Sequence, residues 1–146
     1  MAETLGMLCD KLTIVKLKQY HTEDQERLKS LDKQAEQLQQ EIDEYLSDAI
    51  NGIIPLEKLT FAANKVYKKE GNEIVDVKGN IGALFSQLAD VNCRLWHEVE
   101  KGYDIENVPV VEKDKLVKML AILNLERNKY IDAIDIYIKD LIGIRN

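Results

Sequence analysis

Residues 8–24, LCDKLTIVKLKQYHTED, decide the fold class of this chain. Leu5, Leu8, Leu12 and Val15 step by three or four residues, which puts them on one face of a helix. Ile14, Leu17 and His21 keep the same spacing on nearly the opposite side. A helix that is apolar on two faces is either central in its bundle or shared between subunits. The spacing predicts this first helix over about Glu3 to Asp24, and the polar break around Thr22 to Gln25 reads either as a turn or as a continuation of the helix.

Further along, residues 84–100, LFSQLADVNCRLWHEVE, repeat the pattern in blurred form. Leu8, Leu12, Val15 and His21 correspond to Leu84, Leu88, Val91 and His97, and Lys18, Tyr20 and Asp24 to Arg94, Trp96 and Glu100. Striped helices resemble one another by necessity. The aromatic-His pair at matching places carries more weight, because the chain has only 2 histidines. Shifted together, Leu28, Leu31, Ile42 and Asp43 correspond to Val117, Leu120, Ile131 and Asp132, so a duplicated helical hairpin is one reading of the whole chain.

Between and after the two copies, the helical period continues. Leu28, Leu31, Ala35, Leu38, Ile42 and Tyr45 form a heptad-like stripe amid Gln, Glu, Asp and Lys, with Gly52 as its stop. Pro55 opens a short third helix carrying Leu56, Leu59, Ala63 and Val66. Residues 73–77, EIVDV, alternate as a short extended piece, a connector or an edge paired with a second copy. A fourth helix is predicted from about Lys78 to Lys101 with Gly102 at its C′ position. The last runs from about Val111 to Ile142, on a stripe of Leu116, Leu120, Leu123, Tyr130, Ile134, Ile138 and Leu141. Ile122, Leu125, Ala133 and Ile136 give it a second apolar side. The expected fold is all-α: a four-helix bundle made of two hairpins, with a short inserted helix, as one domain over residues 1–146.

Composition narrows the partners. With 45% apolar and 32% charged residues the chain is rich enough to bury a core. A net charge of −6 argues against a nucleic-acid binder, whose affinity comes from Lys and Arg neutralising phosphates. No apolar run reaches the roughly 18–20 residues that cross a bilayer. The opening MAETLGMLCDK lacks the basic start of a signal peptide. Cys9 and Cys93 show no metal-ligand spacing and read as small apolar residues of a reducing, cytoplasmic compartment.

Candidate chemistry is sparse. His21, Asp24, His97 and Glu100 place an imidazole and a carboxylate three residues apart on each of two helices, a spacing that can share a metal ion across a bundle. Carboxylate-bridged bundles, however, place Glu before His, and here the order is reversed. Histidines near helix ends also interact favourably with the helix dipole, which accounts for them without a metal. Glu41, Asp43 and Glu44 with Asp132 and Asp135 would suit Mg²⁺ and a nucleotide, as in all-α pyrophosphohydrolases. The EExxE pattern of those enzymes is missing, and acids between heptad leucines read as a solvated face. The sequence also contains no nucleophile elbow and no Gly-rich phosphate loop. Lys65, Lys68 and Lys69, after Phe61, make a basic cluster too short for a nucleic-acid surface.

The opening residues Thr4 to Ile14 (TLGMLCDKLTI), then Lys18-Gln19-Tyr20-His21 and Glu23-Asp24, resemble uncharacterised all-helical proteins of bacteria and their phages. Those proteins begin with a TLGxLxDKLxI-like motif that leads to an aromatic-HxED end. Asn124, Arg127, Asn128, Ile131, Ile134 and Asp135 are similar to their NxxRNxxIxxID segment. The resemblance implies a helical bundle and supplies no activity or cofactor. It draws attention to Asp10, Lys11, Asn124, Arg127 and Asn128, as a structural polar network or as a patch for a partner. Lys11 and Arg127 are cations within apolar helices, with Asp10 and Asp132 as candidate counter-ions.

The functional expectation is a non-enzymatic, cytoplasmic helical-bundle interaction protein that self-associates, as a dimer, through the second apolar faces of its first and last helices. The alternative is a metal- or nucleotide-dependent hydrolase using His21, His97 and nearby carboxylates.

Overall fold

A computed structural model describes residues 3–61 and 79–145. Four α-helices are present among them: α1 (Leu5–His21), α2 (Gln25–Ile50), α3 (Ile81–Tyr103) and α4 (Val110–Arg145). Short 3-10 turns occur at Leu56–Lys58 and Ile105–Asn107, and no strand is found among the described residues. The chain is a helical bundle, as its apolar spacing requires. Hairpins α1–α2 and α3–α4 form the two main contacts, and α1 packs on all three other helices.

The boundaries follow from capping. Thr4 is extended at the N-cap of α1, where its hydroxyl accepts the Met7 amide at 3.3 Å. At the other end α1 stops at His21 rather than running on to Asp24. The physical reason is that Asp24 is itself an N-cap: its Oδ1 accepts the amides of Glu26 at 2.9 Å and Arg27 at 3.4 Å. Satisfying those free amides at the start of α2 requires an extended Thr22 and Asp24 instead of a continuous helix. After Ile50, Gly52 adopts φ +77°, the left-handed conformation expected of a glycine that ends a helix.

Gly102, expected just beyond the fourth helix, lies instead within the last turn of α3. That helix continues to Tyr103 and ends with the Asp104 amide donating to the Lys101 carbonyl at 3.1 Å. Of the expected third helix, the structure describes the Leu56–Lys58 turn and the buried Leu59. Ala63, Val66 and the extended stretch 73–77 lie outside the described residues, as do Lys65, Lys68 and Lys69.

The largest apolar cluster joins Leu5 and Cys9 of α1, Leu84 and Leu88 of α3, and Ile131 and Ile134 of α4. A second joins Val15 to Leu31 and Ala35, which fixes α2 along α1. A third clamps the far ends of α2 and α4 through Ala49, Leu59 and Ile142. The α4 stripe therefore ends on Ile142, and Leu141 is exposed. From Ile134 onwards the buried row advances by four residues, because a straight helix of 3.6 residues per turn drifts away from a strict three-four alternation.

Matched positions of the proposed repeat are buried alike at Leu8 and Leu84 and at Val15 and Val91. Any two bundle helices would share that. The polar counterparts diverge: Tyr20 is exposed, whereas Trp96 is half-buried.

Candidate functional site

Two carboxylates are buried among the described residues, Asp10 on α1 itself and Asp135 of α4 bonded to α1. Asp10 is 4% exposed and receives a two-pronged contact from Arg127 of α4: Nε donates to Oδ1 at 2.8 Å and Nη2 donates to Oδ2. Asn92 of α3 adds an amide donor at 3.0 Å to Oδ1 and bonds Thr13 Oγ1 at 2.6 Å. The Thr13 hydroxyl in turn donates to the Asp10 carbonyl at 2.7 Å. The network thus links α1, α3 and α4. A paired guanidinium fork is the geometry that best offsets the cost of burying a carboxylate. The Asp10 hydrogen bond in turn raises the Arg127 pKa above its ordinary value.

One helical turn towards the N-terminus, Asp135 of α4 is 3% exposed. Its Oδ1 accepts the Gly6 amide at 2.7 Å and supplies one of the partners that the first turn of α1 lacks. Burial pushes the carboxyl up to about 6, and neighbouring Asp132 adds to the rise, while the Thr4 hydroxyl and the Gly6 amide oppose it. Gly6 is required here. A Cβ at this position would lie 2.5 Å from the Ile131 carbonyl oxygen and 2.9 Å from Asp135 Oδ1. Nearby Cys9 is buried beside both acids, and its thiol is pushed up to about 12, first by burial and then by Asp135 and Asp10. It is therefore protonated and inert at neutral pH.

The opposite end of α1 is built from rings. His21 stacks on Trp96 with centroids 4.8 Å apart and planes 10° from parallel, while Tyr20 meets His21 edge-on at 5.2 Å. The Trp96 indole N–H is buried with no hydrogen-bond partner among the described residues. A groove of about 470 Å³ opens beside this stack. On the α1–α3 face lies a second groove of about 400 Å³, walled by Leu12, Leu17, Tyr20, Ala89 and Cys93.

Of the residues singled out in sequence, the structure joins Asp10 to Arg127 and places Lys11 elsewhere, exposed and paired with Glu3. Asn124 is exposed and Asn128 half-buried, and the donors to the Asp10 carboxylate are Asn92 and Arg127. His21 is held by Trp96, Asp24 caps α2, and His97 and Glu100 are exposed on α3. No group of three or more His, Cys, Asp or Glu side chains is disposed to hold a metal among the described residues. Glu41, Asp43 and Glu44 lie on α2, the last two exposed, whereas Asp135 is buried on α4 with its Oδ1 accepting the Gly6 amide.

Asn92 is the residue that sequence reading misses. Its signal was present: it falls four residues after Leu88, so a polar amide sits on the buried stripe of α3. An amide on a core stripe implies a buried partner, and that partner is Asp10.

The chain matches no protein-family model, no curated protein and no solved structure. No described helix is long and apolar enough to cross a membrane.

Proposed function

We propose that this chain is a non-enzymatic interaction protein of the cytoplasm that pairs with a second copy of itself through the α1–α3 face. The observation that carries this reading is the apolar groove walled by Leu12, Leu17, Tyr20, Ala89 and Cys93. Tyr20 stands at its edge and is 85% exposed. An exposed ring next to an apolar groove on one patch is self-complementary. In a two-fold pair, each Tyr20 would enter the groove of the other copy, an isologous contact that closes. Large exposed aromatic rings beside apolar surface are also what interfaces concentrate.

Three of the acids in and beside α1 favour this reading over a hydrolase, because each already has a structural task. Asp10 neutralises Arg127, Asp135 caps α1, and Asp24 caps α2. The free thiols, Cys9 buried and Cys93 exposed, suit a reducing compartment. The resemblance of the opening residues and of Asn124 to Asp135 to helical proteins of bacteria and phages points to the same class of protein.

Size-exclusion chromatography with light scattering at micromolar concentration tests the proposal. The expected result is a dimer for the wild type and a monomer for Leu17→Glu. A wild-type monomer throughout that range would overturn it, as would a Leu17→Glu protein that remains dimeric.

A further inference from the structure

The groove beside the ring stack has a chemistry at odds with the rest of the surface. Its walls are Lys18, His21 and Thr22 from the end of α1, Arg27, Ser30, Leu31 and Gln34 from α2, and Trp96 from α3. No carboxylate is among them, although the chain has 26 acidic against 20 basic residues. Lys18 and Arg27 are both exposed, and neither forms an ion pair among the described residues. The neighbouring lysine Lys29, by contrast, points to Glu26 at 3.8 Å. Asp24, the acid nearest in sequence, is turned to the amides of Glu26 and Arg27 as the cap of α2.

Two of the remaining groups carry hydroxyl donors. Ser30 Oγ accepts from Gln34 Nε2 at 3.2 Å, which leaves the Ser30 hydroxyl proton to donate elsewhere. Thr22 adds a second hydroxyl. Two cations without an ion pair among the described residues, hydroxyl donors and a lining that includes no carboxylate form the donor set that phosphate oxygens require. The volume of about 470 Å³ is several times what a bare phosphate fills and lies within the range of small-molecule sites. Leu31 and the Trp96–His21 stack provide an apolar wall for the rest of such a molecule.

We propose that this groove binds a small phosphorylated molecule, its phosphate held by Lys18 and Arg27 and oriented by Ser30 and Thr22. None of these four residues lines the α1–α3 groove, so the site stands apart from the dimer reading.

Trp96 is the chain's only tryptophan and lies in the wall, so tryptophan emission, excited beyond the tyrosine absorption band, reports on this place alone. The probes are inorganic pyrophosphate and adenosine monophosphate, titrated at low salt by fluorescence and, in parallel, by isothermal calorimetry. The expected result is saturable binding with a dissociation constant below about 1 mM. Arg27→Gln and Lys18→Gln should each weaken it by about tenfold, since each removes a charge-assisted contact to an anion. Lys29→Gln should leave it unchanged, and potassium chloride at matched ionic strength should produce no saturable signal. Both variants remove exposed side chains, and circular dichroism confirms that they fold. Absence of saturation by both methods overturns the proposal. Equal weakening by Lys29→Gln also overturns it, because the binding would then be diffuse attraction to surface charge.

Discussion

The two ends of α1 treat polar groups in opposite ways. Towards its N-terminus, Thr4, Gly6 and Asp10 are buried, and their polar atoms are bonded to Met7, Asp135, Asn92 and Arg127. Towards its C-terminus, Lys18, Tyr20 and His21 are exposed, and the contacts are ring faces and groove walls. The difference follows from what covers each end. The first half is enclosed by α3 and α4 through the Leu5–Leu88–Ile134 core, where an unpartnered charge would be costly. The second half packs chiefly along α2, through Val15, Leu31 and Ala35, and meets α3 at its end through the His21–Trp96 stack. Stability is thus concentrated at one end of the helix, and ligand-accessible chemistry at the other.

The sharpest way to break this contrast is Arg127→Ala. It leaves the Asp10 carboxylate buried with only the Asn92 amide as a side-chain donor to it, and the expected loss is about 3–5 kcal/mol. Urea unfolding monitored by circular dichroism measures it. The paired replacement Asp10→Leu with Arg127→Met removes both charges and is expected to recover most of that loss. If the double variant is as unstable as Arg127→Ala, the network does more than neutralise a buried charge.

Asp135 gives a pH-dependent form of the same test. Its carboxyl is raised to about 6 in the folded chain, against 3.8 for the ordinary group, so the folded state holds the proton more tightly than the unfolded state. The stabilisation from that proton is full below about pH 4 and is lost as pH rises through about 6. A shift of this size corresponds to about 3 kcal/mol. Asp135→Asn cannot titrate, so its unfolding free energy should lack this fall between pH 4 and 6. Parallel wild-type and variant profiles over that window would show that Asp135 does not couple to folding.

What could be read from the sequence, and what could not, divides along the same line. The helices and their apolar stripes were legible because periodicity is a local property of the chain. Lys11 and Arg127 stood out as cations inside apolar helices with Asp10 and Asp132 as candidate counter-ions, and the structure joins Asp10 to Arg127. Asn92 was hidden by its leucine neighbours. Its importance depends on α3 meeting α1, a contact across 82 positions that one-dimensional spacing does not encode. The same holds for Gly6, whose need for a bare Cα arises from the Ile131 carbonyl of a distant helix. The histidines show the same limit. Their spacing to Asp24 and Glu100 left open a shared metal ion or a simple helix-end role, and only the packed helices show that His21 stacks on Trp96 while Asp24 caps the start of α2.

His21→Ala sharpens the comparison from the exposed end and carries the smallest expected effect. The stack on Trp96 is parallel and close, but His21 itself is exposed, so little desolvated area is lost when the imidazole is removed. Stability should fall by less than about 1 kcal/mol, the usual scale of one aromatic pair. The fluorescence of Trp96 should respond far more than the stability does. Removing its stacking partner opens one indole face to water, and the emission maximum should move to longer wavelength. A large loss of stability with little spectral change would reverse the assignment, making the ring stack a structural element and returning the functional search to the buried end.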